Sequence, residues 1–75
     1  MNDKLRKQLA LIIEGVEAVK RDVEDVKSSE EESLENLPEA MQEGEKGEKF
    51  QETISNLEDC ICYLDDAISS LQSAQ

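Results

Sequence analysis

Two rows of aliphatic side chains, one in each half of this 75-residue chain, repeat with the period of a coiled coil. Successive members of each row are separated alternately by four and three residues. A mean step of about 3.5 residues fits the buried face of an α-helix and not a strand. The chain is therefore predicted to be all-α, with a coiled-coil-like core between two helices. The core residues are Leu5, Leu9, Ile12, Val16, Val19, Val23 and Val26 in the first row and Phe50, Ile54, Leu57, Ile61, Leu64, Ile68 and Leu71 in the second.

The only proline lies between the two rows. Proline disfavours helix at the residue before it but is well placed at the start of a new helix, so Pro38 is predicted to end the first helix and begin a helical turn. We predict a single domain with a helix over about residues 2–36, a turn or short helical segment over 37–47, and a second helix over about 48–73.

The register of the two helices follows from the same turn point. If the chain folds back at residue 38, the opposed core residues have numbers that sum to 76. The predicted pairs are Leu5 with Leu71, Ile12 with Leu64, Val19 with Leu57 and Val26 with Phe50. This pairing predicts an antiparallel two-helix hairpin with its two termini together at one end.

A single interface between two helices is thin for a chain of this size, so further apolar surface has to be covered. Such surface lies beside the two rows, near residues 9–19 and 57–68. We predict that this patch serves self-association, most simply as a homodimer that forms a four-helix bundle, or the docking of another protein. The residues assigned to it are Leu11, Ile13, Ala18, Cys60, Tyr63 and Ala67.

The formal net charge of −11 is unevenly distributed along the chain. Residues 2–21 have a net charge of +2, residues 22–45 have a net charge of −9, and residues 50–75 contain five acids and no Lys or Arg. A polyanion repels nucleic acid and membrane surfaces, so no direct binding to either is expected, whereas a basic protein surface suits it. The same acids also keep a small helical protein soluble. The acidic surface is assigned to Glu30, Glu31, Glu32, Glu35, Glu58, Asp59, Asp65 and Asp66.

Side chains that could support catalysis are few. The chain has no His, no glycine-rich phosphate loop and no nucleophile motif, so we expect no enzyme, no cofactor and no metal site. Cys60 and Cys62 are about 200° apart around a helix, so they cannot bind one metal or form a disulfide with each other. The apolar run at residues 9–13 is too short for a signal peptide or a membrane span, and the expected location is the cytoplasm.

A turn motif surrounds the proline and consists of Asn36, Leu37, Pro38, Glu39 and Gln42, followed by Gly47-Glu48-Lys49. Across residues 34–71 this pattern resembles small uncharacterised proteins of bacteria and their phages. The resemblance implies a short, acidic, hairpin-like protein, in the host cytoplasm if phage-encoded, and it assigns no activity to any residue. The motif is expected to fix the turn geometry, with Gln42 or Lys49 hydrogen-bonding backbone groups left free there, or to form a contact site at the tip.

These observations predict a non-enzymatic protein–protein interaction module: a self-associating helical hairpin whose acidic surface binds a partner protein. One alternative is a phage-type inhibitor or DNA mimic, whose carboxylates occupy the basic site of a host defence or nucleic-acid-binding protein. A second alternative is a purely structural assembly component.

Overall fold

The computed structural model describes residues 2–75, which form three helices. These are α1 (Asp3–Glu35), α2 (Glu39–Gln42) and α3 (Glu45–Ala74). No strand occurs among the described residues, so the all-α class is confirmed. The molecule is elongated, with principal extents of 59 × 15 × 10 Å. At about 1.5 Å per residue, each long helix runs most of this length.

Three contacts show that α1 and α3 lie side by side in opposite directions. The Lys20 Nζ atom lies 2.6 Å from the Asp65 Oδ1 atom, and the Lys27 Nζ atom lies 3.4 Å from the Glu58 Oε1 atom. Near the termini, the Gln75 side-chain amide donates a 3.5 Å hydrogen bond to the backbone carbonyl of Arg6. Residue numbers rise along one helix as they fall along the other, which defines an antiparallel hairpin.

The register differs from the one predicted. The residue numbers of the two cross-helix ion pairs each sum to 85, and those of the Arg6–Gln75 hydrogen bond sum to 81, whereas the prediction was 76. With a sum of 76, Lys20 would lie level with Asn56, roughly 13 Å along α3 from Asp65. The predicted pairing is therefore wrong by five to nine residues, or about one heptad.

The length of the connection explains part of the shift. Residues 36–44 separate the two long helices, and their centre is residue 40 and not Pro38. Pro38 has extended backbone angles, φ −55° and ψ 144°, and precedes the first residue of α2. Because α2 forms a separate turn at the tip and α3 begins at Glu45, three residues before the predicted start, α3 is displaced relative to α1.

Gly47, in the first turn of α3, lies directly against the backbone of α2. It is one of two buried residues among those described. A Cβ atom at this position would lie 2.8 Å from the Cα atom of Gln42 and closer still to its carbonyl group. Since those atoms are backbone, no side-chain movement could relieve the contact, and only glycine fits there.

The side chain of Gln42 closes the other side of the tip. Its amide nitrogen donates a hydrogen bond of 2.8 Å to the backbone carbonyl of Leu37 and a longer one of 3.4 Å to that of Glu35. The last carbonyls of a helix have no partner within the helix, so this side chain satisfies the carbonyl of the last residue of α1 and that of Leu37, two residues beyond it. Gln42 thus ties α1 to α2 while its backbone packs against α3.

We expect Gln42→Ala to lower the free energy of unfolding by about 1 kcal/mol, because the Leu37 carbonyl loses its donor in a half-buried position. Urea denaturation followed by circular dichroism measures the change. Gln51→Ala, which truncates an exposed glutamine of α3, is the matched control and should change stability by less than about 0.5 kcal/mol. If the two substitutions lower the free energy of unfolding equally, the hydrogen bonds of Gln42 do not stabilise the hairpin.

The side chains of α1 that face α3 also differ from the predicted row. Ile13 is only 6% exposed, whereas its neighbour Ile12 is 50% exposed. Buried or half-buried side chains recur along α1 with steps of four and three residues at Leu9, Ile13, Val16, Lys20, Val23, Lys27, Glu30 and Leu34. Three members of the predicted row belong to this stripe, namely Leu9, Val16 and Val23. On α3 all seven predicted core residues are half-buried.

The remaining four members of the first row lie outside the hairpin. Leu5, Ile12, Val19 and Val26 are 46%, 50%, 50% and 52% exposed, so their assignment to the hairpin core is wrong. For three of them, the next residue in the sequence faces α3 instead. These residues are Ile13, Lys20 and Lys27. A rotation of α1 about its axis accounts for the exchange, since Lys20 and Lys27 then reach carboxylates of α3.

Candidate docking face

The four displaced residues of α1 lie along one line on the surface. Leu5, Ile12, Val19 and Val26 are spaced by seven residues, so they lie on one side of the helix. Beside them are Leu11, which is 67% exposed, and Gly15, where a Cβ atom would have no neighbour within 4 Å. The outer face, as we call it, consists on α1 of Leu5, Leu11, Ile12, Gly15, Val19 and Val26.

Helix α3 adds Tyr63 and its neighbours to the outer face. Tyr63 is 71% exposed, the largest exposure of any large hydrophobic residue described. Cys60 and Ala67 precede and follow it by three and four residues, so the three share one side of α3. Cys60 is half-buried and Ala67 is exposed. By heptad position these residues lie on the opposite flank of α3 from Glu58 and Asp65.

The structure brings most of the predicted patch to the surface, with one correction. Leu11, Tyr63 and Ala67 are exposed, and Ala18 is half-buried. Ile13 is buried inside the hairpin, so its assignment to the patch is wrong. Ile12 takes its place on the outside. Sequence reasoning missed this exchange because Leu11, Ile12 and Ile13 are all large and apolar; the signal that could have revealed it is the pair of lysines one heptad and two heptads after Ile13.

On the flank of the hairpin opposite the outer face, lysines of α1 form ion pairs with carboxylates of α3. Lys20 donates a hydrogen bond to Asp65, which raises the pKa of the lysine above its ordinary value of 10.5, although partial burial of the ammonium opposes the shift. Lys27 lies 3.4 Å from a Glu58 oxygen and 3.7 Å from a Glu31 oxygen. Three members of the predicted acidic surface are therefore paired with lysines, and these pairs help to set the rotation of α1.

The other predicted acids have varied environments. Glu32, Glu35, Asp59 and Asp66 are exposed. Glu30 is half-buried and lines an open cleft of about 250 Å³ with Lys46, Lys49, Phe50 and Thr53. Of the four exposed acids, Glu32 and Glu35 lie near the tip, whereas Asp59 and Asp66 lie farther along α3.

Charge is strongly unequal between the two ends of the hairpin. Residues 22–58, which form the tip half, have a net charge of −10, whereas residues 2–21 and 59–75 together have a net charge of −1. Lys4, Arg6 and Lys7 supply the positive charge at the end that holds the termini. The hairpin is thus an elongated body with an acidic tip and a nearly neutral opposite end.

Comparison with known proteins does not assign the chain to a family. No protein-family model, curated protein or solved structure matches it. The outer face, the acidic tip and the geometry that positions them are therefore the features from which a function can be inferred.

Other potential sites are sparse within the described residues. Cys60 and Cys62 are both free thiols, the first half-buried and the second exposed. Residues 2–75 contain no cluster of three or more side chains suited to bind a metal ion. Neither long helix has a stretch apolar enough to cross a bilayer. The outer face is the surface that most requires an explanation.

Proposed function

We propose that the chain is a non-enzymatic protein–protein interaction module, a helical hairpin that self-associates through its outer face and presents an acidic surface to a partner protein. The observation that supports this is the imbalance between buried and exposed apolar side chains. Among residues 2–75 Ile13 is the only buried hydrophobic residue, while seven large hydrophobic residues are at least 43% exposed. Monomeric proteins rarely leave a contiguous apolar strip of this kind uncovered.

A second hairpin is the simplest cover for the outer face. Two-fold symmetric dimers are the commonest oligomers, and two hairpins packed face to face form a four-helix bundle. Burying the exposed half of an aliphatic side chain contributes about 1 kcal/mol, and symmetry buries each residue of the face twice. Such an interface would supply the second helical layer that a thin hairpin lacks.

The acidic tip suits a partner with a basic surface. Glu32, Glu35, Glu39 and Glu43 are all exposed around the tip, where the outer face does not extend. Carboxylates concentrated at one end attract a basic surface and speed the encounter with it.

Mimicry of nucleic acid has less support. A mimic needs carboxylates in rows that are free to meet a basic site. In this hairpin Glu58 and Asp65, which begin the two acidic pairs of α3, are engaged by Lys27 and Lys20. A purely structural assembly component would use the same outer face and lack only the partner at the tip.

Sedimentation equilibrium at low and at high salt tests the proposal. Self-association through apolar side chains should persist at high salt and tighten slightly, because salt screens the repulsion between two chains of charge −11. An association that dissolves as salt is added would mean that charges hold the copies together, and the apolar face would then lose its proposed role.

A further inference from the structure

We propose that the second copy docks antiparallel, with the two α1 helices crossing at Gly15 and with Lys4 of each copy beside Asp25 of the other. This inference rests on the proposed self-association and adds its orientation and register. Three independent features of the molecule lead to it: the charge of the two ends, the bare backbone at Gly15, and the order of side chains along one line of α1.

The difference in net charge between the two ends of the hairpin favours the antiparallel orientation. If two hairpins packed in parallel, two tip halves with a net charge of −10 each would lie side by side. Helices in contact are about 10 Å apart, which is close to the screening length at physiological salt, so salt would reduce this repulsion to about a third without removing it. Antiparallel packing places the tips at opposite ends of the dimer. It also brings the basic start of α1 alongside acids of the second copy.

Gly15 marks the crossing point. Nothing lies within 4 Å of the position that its Cβ would occupy, so the backbone of α1 is open to a close approach. Leu11 and Val19 stand four residues to either side of it, and Ile12 and Ala18 stand three residues to either side. A glycine framed in this way lets two antiparallel helices come close while large side chains interlock around it.

One line of side chains on α1 is complementary to the same line on a second copy that runs in the opposite direction. It consists of Lys4, Leu11, Ala18 and Asp25. These residues are spaced by seven, so they lie on one side of α1. They are about 100° around the helix from the line of Leu5, Ile12, Val19 and Val26, and Gly15 lies between the two lines. When a second α1 runs the opposite way with its Gly15 at the crossing, Lys4 meets Asp25 and the large Leu11 meets the small Ala18. Both charged residues are exposed and belong to none of the ion pairs found among residues 2–75.

The arrangement leaves the tips free. The two α1 helices overlap over about 22 residues, or roughly 33 Å, so a dimer of hairpins 59 Å long would extend over about 85 Å. Each acidic tip then projects beyond the other copy, where a basic partner can reach it. A parallel dimer would instead be about as long as a single hairpin.

Charge reversal tests the register. Lys4→Glu should raise the dissociation constant of the dimer about tenfold, because symmetry converts two attractive pairs into two repulsive ones. Asp25→Lys should have a similar effect, and the two substitutions in one chain should restore affinity to within about threefold of the natural chain. Lys7→Glu makes the same charge change one turn away from Lys4, at a level where the second copy would present no Asp25, and is the matched control; it should raise the constant about twofold at most.

Small-angle X-ray scattering of the same dimers measures the orientation. A maximum dimension of about 85 Å, together with rescue by the double substitution, supports the proposal. A dimer of about 60 Å that Lys4→Glu and Lys7→Glu weaken equally overturns the antiparallel register and leaves self-association intact. A monomer at every concentration overturns both this inference and the proposed function.

Discussion

Gly47→Ala is expected to lower the free energy of unfolding by about 3 kcal/mol, which is a large part of the stability of so small a protein. The added methyl group would overlap the backbone of Gln42, which is held in place by its own side-chain hydrogen bonds to the end of α1. To make room, α3 would have to move away from α2 and lose its register with α1. At an ordinary helix position the same change stabilises by about 1 kcal/mol. A loss of stability in Gly47→Ala would therefore by itself indicate the close contact with Gln42.

Gly44→Ala is the matched control for this prediction. A Cβ atom at Gly44 would lie 3.5 Å from the nearest atom, the carbonyl oxygen of Met41, which is an ordinary contact. Gly44 is the N-cap of α3, where alanine is less favourable than glycine, so we expect a loss of about 1 kcal/mol at most in urea denaturation, well below that of Gly47→Ala. If Gly47→Ala proves as harmless as Gly44→Ala, the tight contact between α2 and α3 is absent from the protein in solution.

Two adjacent isoleucines of α1 are expected to give opposite results. Ile13→Asp should destabilise the hairpin by about 4 kcal/mol and abolish cooperative unfolding, because it places a carboxylate in the only position among residues 2–75 where a hydrophobic side chain is buried. Ile12→Asp makes the same change at a position that is 50% exposed. This variant should keep its helical circular dichroism and lose self-association.

Each isoleucine is therefore the control for the other, since the substitution, the helix and the added charge are the same. Far-ultraviolet circular dichroism with thermal denaturation measures folding, and size-exclusion chromatography measures association. If Ile12→Asp unfolds the chain while Ile13→Asp does not, the row that was predicted from sequence forms the core, and the rotation of α1 described above is wrong.

The sequence predicts the class of this fold better than its register. Seven-residue spacing of aliphatic side chains required two helices, and every predicted core residue of α3 is half-buried against α1. The register failed because it was argued from Pro38 alone. The position of the turn depends on α2 and on the contact between Gly47 and Gln42, which bring together backbone atoms that no periodicity describes.

The outer face was only partly predictable for a related reason. On α1 three consecutive large apolar residues, Leu11 to Ile13, occupy 200° of the helix, so their pattern does not say which one faces α3. The choice depends on where Lys20 and Lys27 find carboxylates, and therefore on the register. Leu11 and Tyr63 could be assigned to the surface from sequence because each lies outside the row of its own helix.

The central claim is that the outer face is covered by a second copy of this chain, and the mass of the protein in solution tests it most directly. Multi-angle light scattering on the purified chain should give twice 8.4 kDa at high concentration, and Ile12→Asp should give 8.4 kDa with its helices retained. A natural chain that remains at 8.4 kDa at every concentration, and still unfolds cooperatively, would contradict the claim.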